Sequence, residues 1–106
     1  MTVVDVVSGD AGCPNSDLSK AAIAFTASGL DEPNPVRVYL YRFNDRDAFQ
    51  RRSGDVAGCA ASYVQDPSAF ESVDISPYVM AGQGPWGARF RTAIRDALTT
   101  AAGDGG

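Results

Sequence analysis

The sequence contains no histidine and only two cysteines among its 106 residues. Without histidine, one chain cannot build Ser-His-Asp or Cys-His nucleophile systems, nor zinc or haem sites with histidine ligands. Two cysteines are also too few for a structural zinc site. Acid–base chemistry would have to come from carboxylates, tyrosines or Lys20. We therefore predict no catalytic residue, no cofactor and no metal site.

Basic residues are also scarce. Lys20 is the single lysine, and 9 basic residues stand against 13 acidic ones, for a net charge of −4. Nucleic-acid binding needs basic side chains that neutralise phosphates, and anionic membrane surfaces repel an acidic protein. No segment approaches the ~20 consecutive apolar residues of a membrane span. We predict that this domain binds no nucleic acid and makes no membrane contact itself.

The composition is that of a globular protein, with 44% hydrophobic and 21% charged residues. A chain of this length can bury one hydrophobic core. We predict a single α+β domain over residues 1–106, with a frayed tail at 103–106. Its expected architecture is an antiparallel sheet of about four strands with two main helices packed on one face.

The predicted strands follow from β-branched residues and from alternation. TVVDVVSG near the start, VRVYLYRF at 36–43 and ESVDISPYVMA at 71–81 each indicate one strand, and Pro77 restricts the last to an edge or a bulge. Residues 18–28 fit a helix or a strand. We favour a helical turn at 16–20, a strand at 22–28 and a loop, GLDEPNP, at 29–35.

Two helices are predicted from apolar stripes and end signals. Asn44 is the expected cap of the first, which should break near Gly54 because glycine disfavours helix. The second spans about 86–101, with Pro85 at its start and Gly103 at its end. Trp86 is its first expected core residue.

The segment GQGPWG, at 82–87, matches G-x-G-x-x-G between a predicted strand and a predicted helix. In dinucleotide-binding proteins such glycines bring the backbone close to a pyrophosphate at a helix N-terminus. Here no strand with an acidic residue follows, and Pro85 lacks an amide proton. A structural turn explains the residues better. Gly82, Gly84 and Gly87 are retained as a candidate anion-binding turn.

Aromatic side chains suggest a second candidate site. Arg37, Tyr39 and Tyr41 alternate along one strand face, and Tyr78 could join them as a stacking platform for a base or sugar. The competing interpretation is that these tyrosines partly cover the sheet.

The two cysteines suit a single disulfide that ties the N-terminal loop, through Cys13, to Cys59 in the predicted helix. The alternative is two buried free thiols in a cytosolic protein. The preferred disulfide favours an oxidising compartment.

The order of VYLYRF, a helix with Cys59, ISPYVMAGQGPW and an alanine-rich helix resembles uncharacterised extracytoplasmic domains of bacterial lipoproteins and membrane-anchored proteins. The resemblance covers most of residues 13–102. It implies export to the periplasm or cell surface, an N-terminal anchor missing from this chain, and a Cys13–Cys59 bridge. It implies no catalytic residue.

The leading functional hypothesis is a non-catalytic extracytoplasmic domain that senses or binds a protein or small-molecule partner. One alternative is a small nucleotide- or anion-binding protein or enzyme that uses the Gly82–Gly87 turn. Another is a cytosolic adaptor that uses the tyrosine face.

Overall fold

The computed structural model describes residues 2–14, 16–20, 22–43 and 45–105. In these ranges five strands occur: β1 (Thr2–Ser8), β2 (Ala22–Gly29), β3 (Glu32–Arg42), β4 (Phe70–Ile75) and β5 (Tyr78–Gln83). The helices are α1 (Ser16–Ser19), α2 (Arg46–Arg52), α3 (Asp55–Ala60) and α4 (Ala88–Gly105). A 3₁₀ turn at Pro67–Ala69 precedes β4.

The strands form one antiparallel sheet in the order β1-β2-β3-β5-β4. The predicted α+β class is therefore confirmed, with five strands rather than about four. The extra strand arises because residues 71–81 are not one strand. They turn at Ser76 and Pro77, and Ile75 pairs with Tyr78 across a hairpin. Proline has no amide proton for the ladder, so it lies at the turn rather than at an edge or a bulge.

The predicted loop at 29–35 is also wrong. β3 begins at Glu32, so the β2–β3 turn consists of Leu30 and Asp31. Gly29 and Leu30 both take positive φ values, 115° and 56°, and these reverse the chain tightly. The prolines of EPNP lie where the β2–β3 register shifts, between the pairs Ala27–Val36 and Gly29–Glu32, which is where a strand tolerates proline.

The helices lie on opposite faces of the sheet, which corrects the prediction that both pack on one face. Tyr39 and Tyr41 of β3 point towards α1, α2 and α3, whereas Val38 points towards α4. The physical reason is that β3 carries apolar side chains at both parities. Each face therefore needs a cover, and the molecule has one buried cluster on each side.

The start of α2 and the end of α4 differ from prediction. Asp45 caps α2, its side chain accepting a 2.8 Å hydrogen bond from the Ala48 amide, while the predicted cap Asn44 falls outside the described residues. The predicted break near Gly54 is confirmed, since α2 ends at Arg52 and α3 begins at Asp55. At the other end of the chain, α4 runs through Gly103 to Gly105, so the predicted helix end at Gly103 is wrong. One glycine costs a helix only about 1 kcal/mol, and an alanine-rich segment precedes it.

Trp86 was predicted to begin the last helix, but α4 begins two residues later, at Ala88. Its predicted place in the core is confirmed: it is 5% exposed, and its ring packs edge-on against Phe90 with centroids 5.4 Å apart. The indole N–H donates to the Gln83 carbonyl at 3.1 Å. Trp86 thus closes the turn between β5 and α4.

Candidate functional site

The most exposed apolar surface is the edge strand β1, in which all seven residues are exposed. Its four valines, at positions 3, 4, 6 and 7, are between 44% and 61% exposed. One side of β1 pairs with β2, and it has no further strand beside it among the described residues. A sheet edge of this kind presents backbone donors and acceptors together with apolar side chains.

The valines of β1 point to both faces of the sheet. Val3 lies opposite Ala27, which is buried in the α4-side cluster, whereas Val7 lies opposite Ala24 in the other cluster. Directly opposed residues of antiparallel strands point the same way. Because neither face of β1 is covered, both sides of this edge are open to an apolar partner.

A bulge divides β1. The register with β2 shifts between Val4 and Val7, and Asp5 takes a positive φ of 54°. The guanidinium of Arg37 holds this irregularity by donating to the Asp5 carbonyl at 2.9 Å and to the Thr26 hydroxyl at 3.1 Å. The bulge interrupts a regular ladder, a device by which natural sheets limit indiscriminate edge pairing.

The candidate aromatic face is not one surface. Tyr78 lies opposite Arg42, and Tyr41 lies opposite Val79, so Tyr41 and Tyr78 point to opposite faces of the sheet. Tyr41 is only 1% exposed, which leaves no ring face for a base or sugar to stack upon. The sequence prediction placed Tyr78 on the same face as Tyr41. The hairpin turn at Pro77 directs its side chain to the other face of the sheet instead.

Arg37 and Tyr39 do come together. With Tyr63 and Gln83 they line a shallow cavity of about 300 Å³. The Tyr39 and Tyr63 rings pack with centroids 4.2 Å apart, and Tyr39 is 9% exposed. The contact gives Tyr39 a packing role.

Tyr41 and Tyr63 form a hydrogen-bonded pair on the disulfide side of the sheet. The Tyr41 hydroxyl donates to the Ala11 carbonyl at 2.8 Å and lies 3.0 Å from the Tyr63 hydroxyl. Burial, the main cause, raises the pKa of both phenols above the usual value. Both groups therefore stay protonated at neutral pH and secure the loop that contains Ala11.

The same loop carries the disulfide. Cys13 is bonded to Cys59 of α3, with Cα atoms 5.3 Å apart, within the usual range for disulfides. The predicted pairing is thus present. Next to it, Gly12 has φ of 78°, and a Cβ there would come within 2.5 Å of the Tyr63 ring and 2.9 Å of the Tyr39 ring. Only glycine allows the loop to lie so close to the two tyrosines.

The three glycines of the candidate anion-binding turn lie in different parts of the connection between β5 and α4. Gly82 lies within β5, Gly84 follows that strand, and Gly87 immediately precedes α4. A side chain at Gly84 would collide with Glu71 and with the Ala69 carbonyl, to which the Gly84 amide donates at 2.8 Å. These close approaches give the turn a structural reason for its glycines.

The amides at the start of α4 already bind carboxylates of the chain. The Asp31 carboxylate accepts from the amides of Arg89 and Phe90, both at 2.9 Å. Glu71 accepts from the Trp86 amide at 3.4 Å and forms an ion pair with Arg91. An external phosphate would have to displace these groups from the position that a dinucleotide occupies.

The pKa of Asp31 lies below its usual value of 3.8, chiefly because its carboxylate accepts a hydrogen bond from the Arg89 amide. Burial acts in the opposite direction, and the hydrogen bond from the Phe90 amide lowers the pKa further. The charged carboxylate favours the positive end of the helix dipole. Asp31 thereby ties the β2–β3 turn to α4. The sequence held a weak signal for this contact, an acidic residue in a turn, but nothing in it identified the helix that Asp31 would cap.

No group of three or more His, Cys, Asp or Glu side chains that could hold a metal occurs in the described part of the chain. Within the same residues, no helix is long and apolar enough to cross a membrane.

Comparison with known proteins gave no family model that matches this chain, and no significant match among curated proteins or solved structures.

The candidate surface that sequence reasoning missed is the exposed strand β1. The sequence contained a signal for this surface, because valine occurs at both odd and even positions of the segment. Neither face of the strand is therefore polar. Such a pattern is typical of a strand buried on both faces. Since β1 lies at an edge instead, its valines are exposed.

Proposed function

We propose that this chain is a non-catalytic, extracytoplasmic domain that binds a protein partner through the β1 edge. The observation that carries the proposal is the exposure of all seven β1 residues, with valines on both faces. An extended segment of another protein could add to this edge, since backbone hydrogen bonds supply affinity and alternating side chains supply specificity. The bulge at Asp5 requires a partner of matching shape.

The extracytoplasmic part of the proposal is supported by the Cys13–Cys59 disulfide. Disulfides persist in oxidising compartments and are rare in the cytosol. The N-terminal loop that carries Cys13 is integrated with the core, because the Tyr41 hydroxyl donates to the carbonyl of Ala11 in that loop. The bridge is therefore part of the fold rather than an accessory at its surface.

The non-catalytic part is supported by how the polar groups are used. The chain has no histidine, the Tyr41 hydroxyl is engaged internally, and Asp31 is engaged with α4 amides. A general base needs a pKa near the working pH and access to substrate. Tyr41 is buried, and the pKa shifts of Tyr41 and Asp31 move each away from neutrality.

The test is site-specific photo-crosslinking in a host that exports the chain. A photoreactive residue replaces Val6, which is 61% exposed, and a matched control replaces Ala57, which is exposed on α3. We expect a discrete crosslinked partner from position 6 and none from position 57. Equal products from both positions, or none from position 6, would contradict the proposal.

A second arm measures the binding of the identified partner to purified variants. Val6→Lys places a charge on the edge and should abolish strand addition. Ala57→Lys introduces the same charge elsewhere and should leave the affinity unchanged. If the crosslinked product is a second copy of this chain, sedimentation equilibrium should show a dimer that Val6→Lys dissociates, and the proposed foreign partner would then be wrong.

A further inference from the structure

A groove on the α4 side of the sheet, near the end of β3, begins beside the last residue of β1, Ser8, and lies outside the glycine turn. Its volume is about 620 Å³, within the range of small-molecule sites. It forms because α4 packs on β4 and β5 and leaves the β2 side of this face without a helix. We propose that this groove binds an amphiphilic organic anion with a carboxylate or phosphate head and an apolar body.

The apolar floor comes from paired strand residues. Ile23 lies opposite Leu40 in the β2–β3 ladder, so their side chains point to the same face. Ile23 is 36% exposed and Leu40 is half-buried, while Ala101 of α4 forms the side of the groove. These groups provide a surface for a hydrocarbon chain or ring.

The polar side chains among the described lining residues are all suited to an anion. Lys20 and Arg42 both line it, and the described lining residues include no carboxylate, in a protein whose net charge is −4. Neither cation forms an ion pair with a described residue. Arg42 lies opposite Tyr78, whose hydroxyl makes no hydrogen bond to a described residue and can donate to the same head group.

The chemistry favours a single anionic head. Arginine binds carboxylate or phosphate through two parallel N–H donors, and lysine adds a point charge. With Lys20 and Arg42 at the rim and Ile23 and Leu40 on the floor, a bound anion can place its head at the cations while its body covers the exposed isoleucine. This assignment does not depend on partner binding at β1.

The test follows the methyl resonances of Ile23 and Leu40 in the full chain during titration with four eight-carbon probes: octanoate, octyl phosphate, octanol and octylammonium. We expect saturable shifts with the two anions and about tenfold weaker binding of octanol, because the loss of one charge-assisted hydrogen bond lowers the affinity by roughly a factor of ten. Octylammonium should bind most weakly, because Lys20 and Arg42 repel its charge. The tighter of the two anions identifies the head group. Equal binding of octanol, or no saturable shift with either anion, would overturn the proposal.

Variants separate recognition from general charge. Arg42→Gln and Lys20→Gln should each weaken anion binding about tenfold and leave octanol binding unchanged. The matched control is Arg95→Gln, which removes the same charge from an exposed position of α4 outside the groove. If Arg95→Gln weakens binding as much as Arg42→Gln, the effect is long-range charge and the assigned site is wrong.

Discussion

The disulfide offers the most quantitative test of how this fold is held together. Cys13 and Cys59 are separated by 46 residues, and cross-linking a loop of that length restricts the unfolded chain by about 4 kcal/mol in the chain-entropy model. Small domains have roughly 5–15 kcal/mol of total stability. Breaking the bridge should therefore remove a large share of the free energy of unfolding. Cys59 is 5% exposed, so alanine is the suitable replacement for both cysteines.

The assay is urea unfolding of the oxidised protein, the reduced protein and the Cys13→Ala/Cys59→Ala variant, with thiols counted under denaturing conditions. A loss of about 4 kcal/mol corresponds to a midpoint lower by roughly 2–4 M at slopes of 1–2 kcal/mol/M. The double variant is the control and should not respond to reductant. If confirmed reduction changes the free energy of unfolding by less than about 1 kcal/mol, the bridge is not what stabilises the domain.

Three further predictions concern single side chains. Gly12→Ala forces a Cβ against Tyr39 and Tyr63 at a positive φ, and it should lower the free energy of unfolding by ~1–3 kcal/mol; an unchanged melting temperature would contradict the close approach. Trp86→Ala should cost ~3–5 kcal/mol in chemical denaturation, and a small loss would mean that the indole is not a core residue. Asp31→Asn should lower the melting temperature at pH 6. Because the pKa of Asp31 is lower in the folded state, the charged side chain stabilises the fold above pH 3.8, and this stabilisation is lost as the pH falls through the lower folded value. The wild-type and variant melting temperatures should therefore converge in acid. A constant difference between them would show that the charge is not involved.

Local sequence patterns predicted most elements. The alternation in VRVYLYRF gave the main part of β3, and the helical turn at 16–20 followed by a strand at 22–28 is confirmed by α1 and β2. The Cys13–Cys59 pairing is also present. These signals are local, or depend on just two cysteines, and long-range packing does not override them.

The hairpin at Pro77 shows where alternation fails. Val73, Ile75 and Val79 have the same parity, which predicted a single face for all three. A two-residue turn instead places Val73 opposite Met80, and Val79 then points to the other side of the sheet. The same reversal removes Tyr78 from the tyrosine face. Proline signalled an interruption, but only tertiary pairing decides between a bulge, an edge and a turn.

The candidate sites depended on contacts that sequence spacing does not encode. Nothing in GQGPWG shows that Asp31, 51 residues before Gly82, occupies the amides at the start of α4. Likewise, the groove at Lys20 and Arg42 exists because α4 covers β4 and β5 but not the β2 side of the sheet. Cover and exposure are properties of the assembled layers.

Binding at the β1 edge is the central claim, and hydrogen exchange tests it most directly. The partner identified by crosslinking from position 6 is mixed with the purified domain, and amide exchange is followed in β1 and in β4, the opposite edge of the sheet. Strand addition satisfies the outward backbone groups of the edge, so β1 amides should exchange more slowly in the complex while β4 amides remain unchanged. Protection confined to β4 or to the helices, with β1 exchanging at its free rate, would contradict the account.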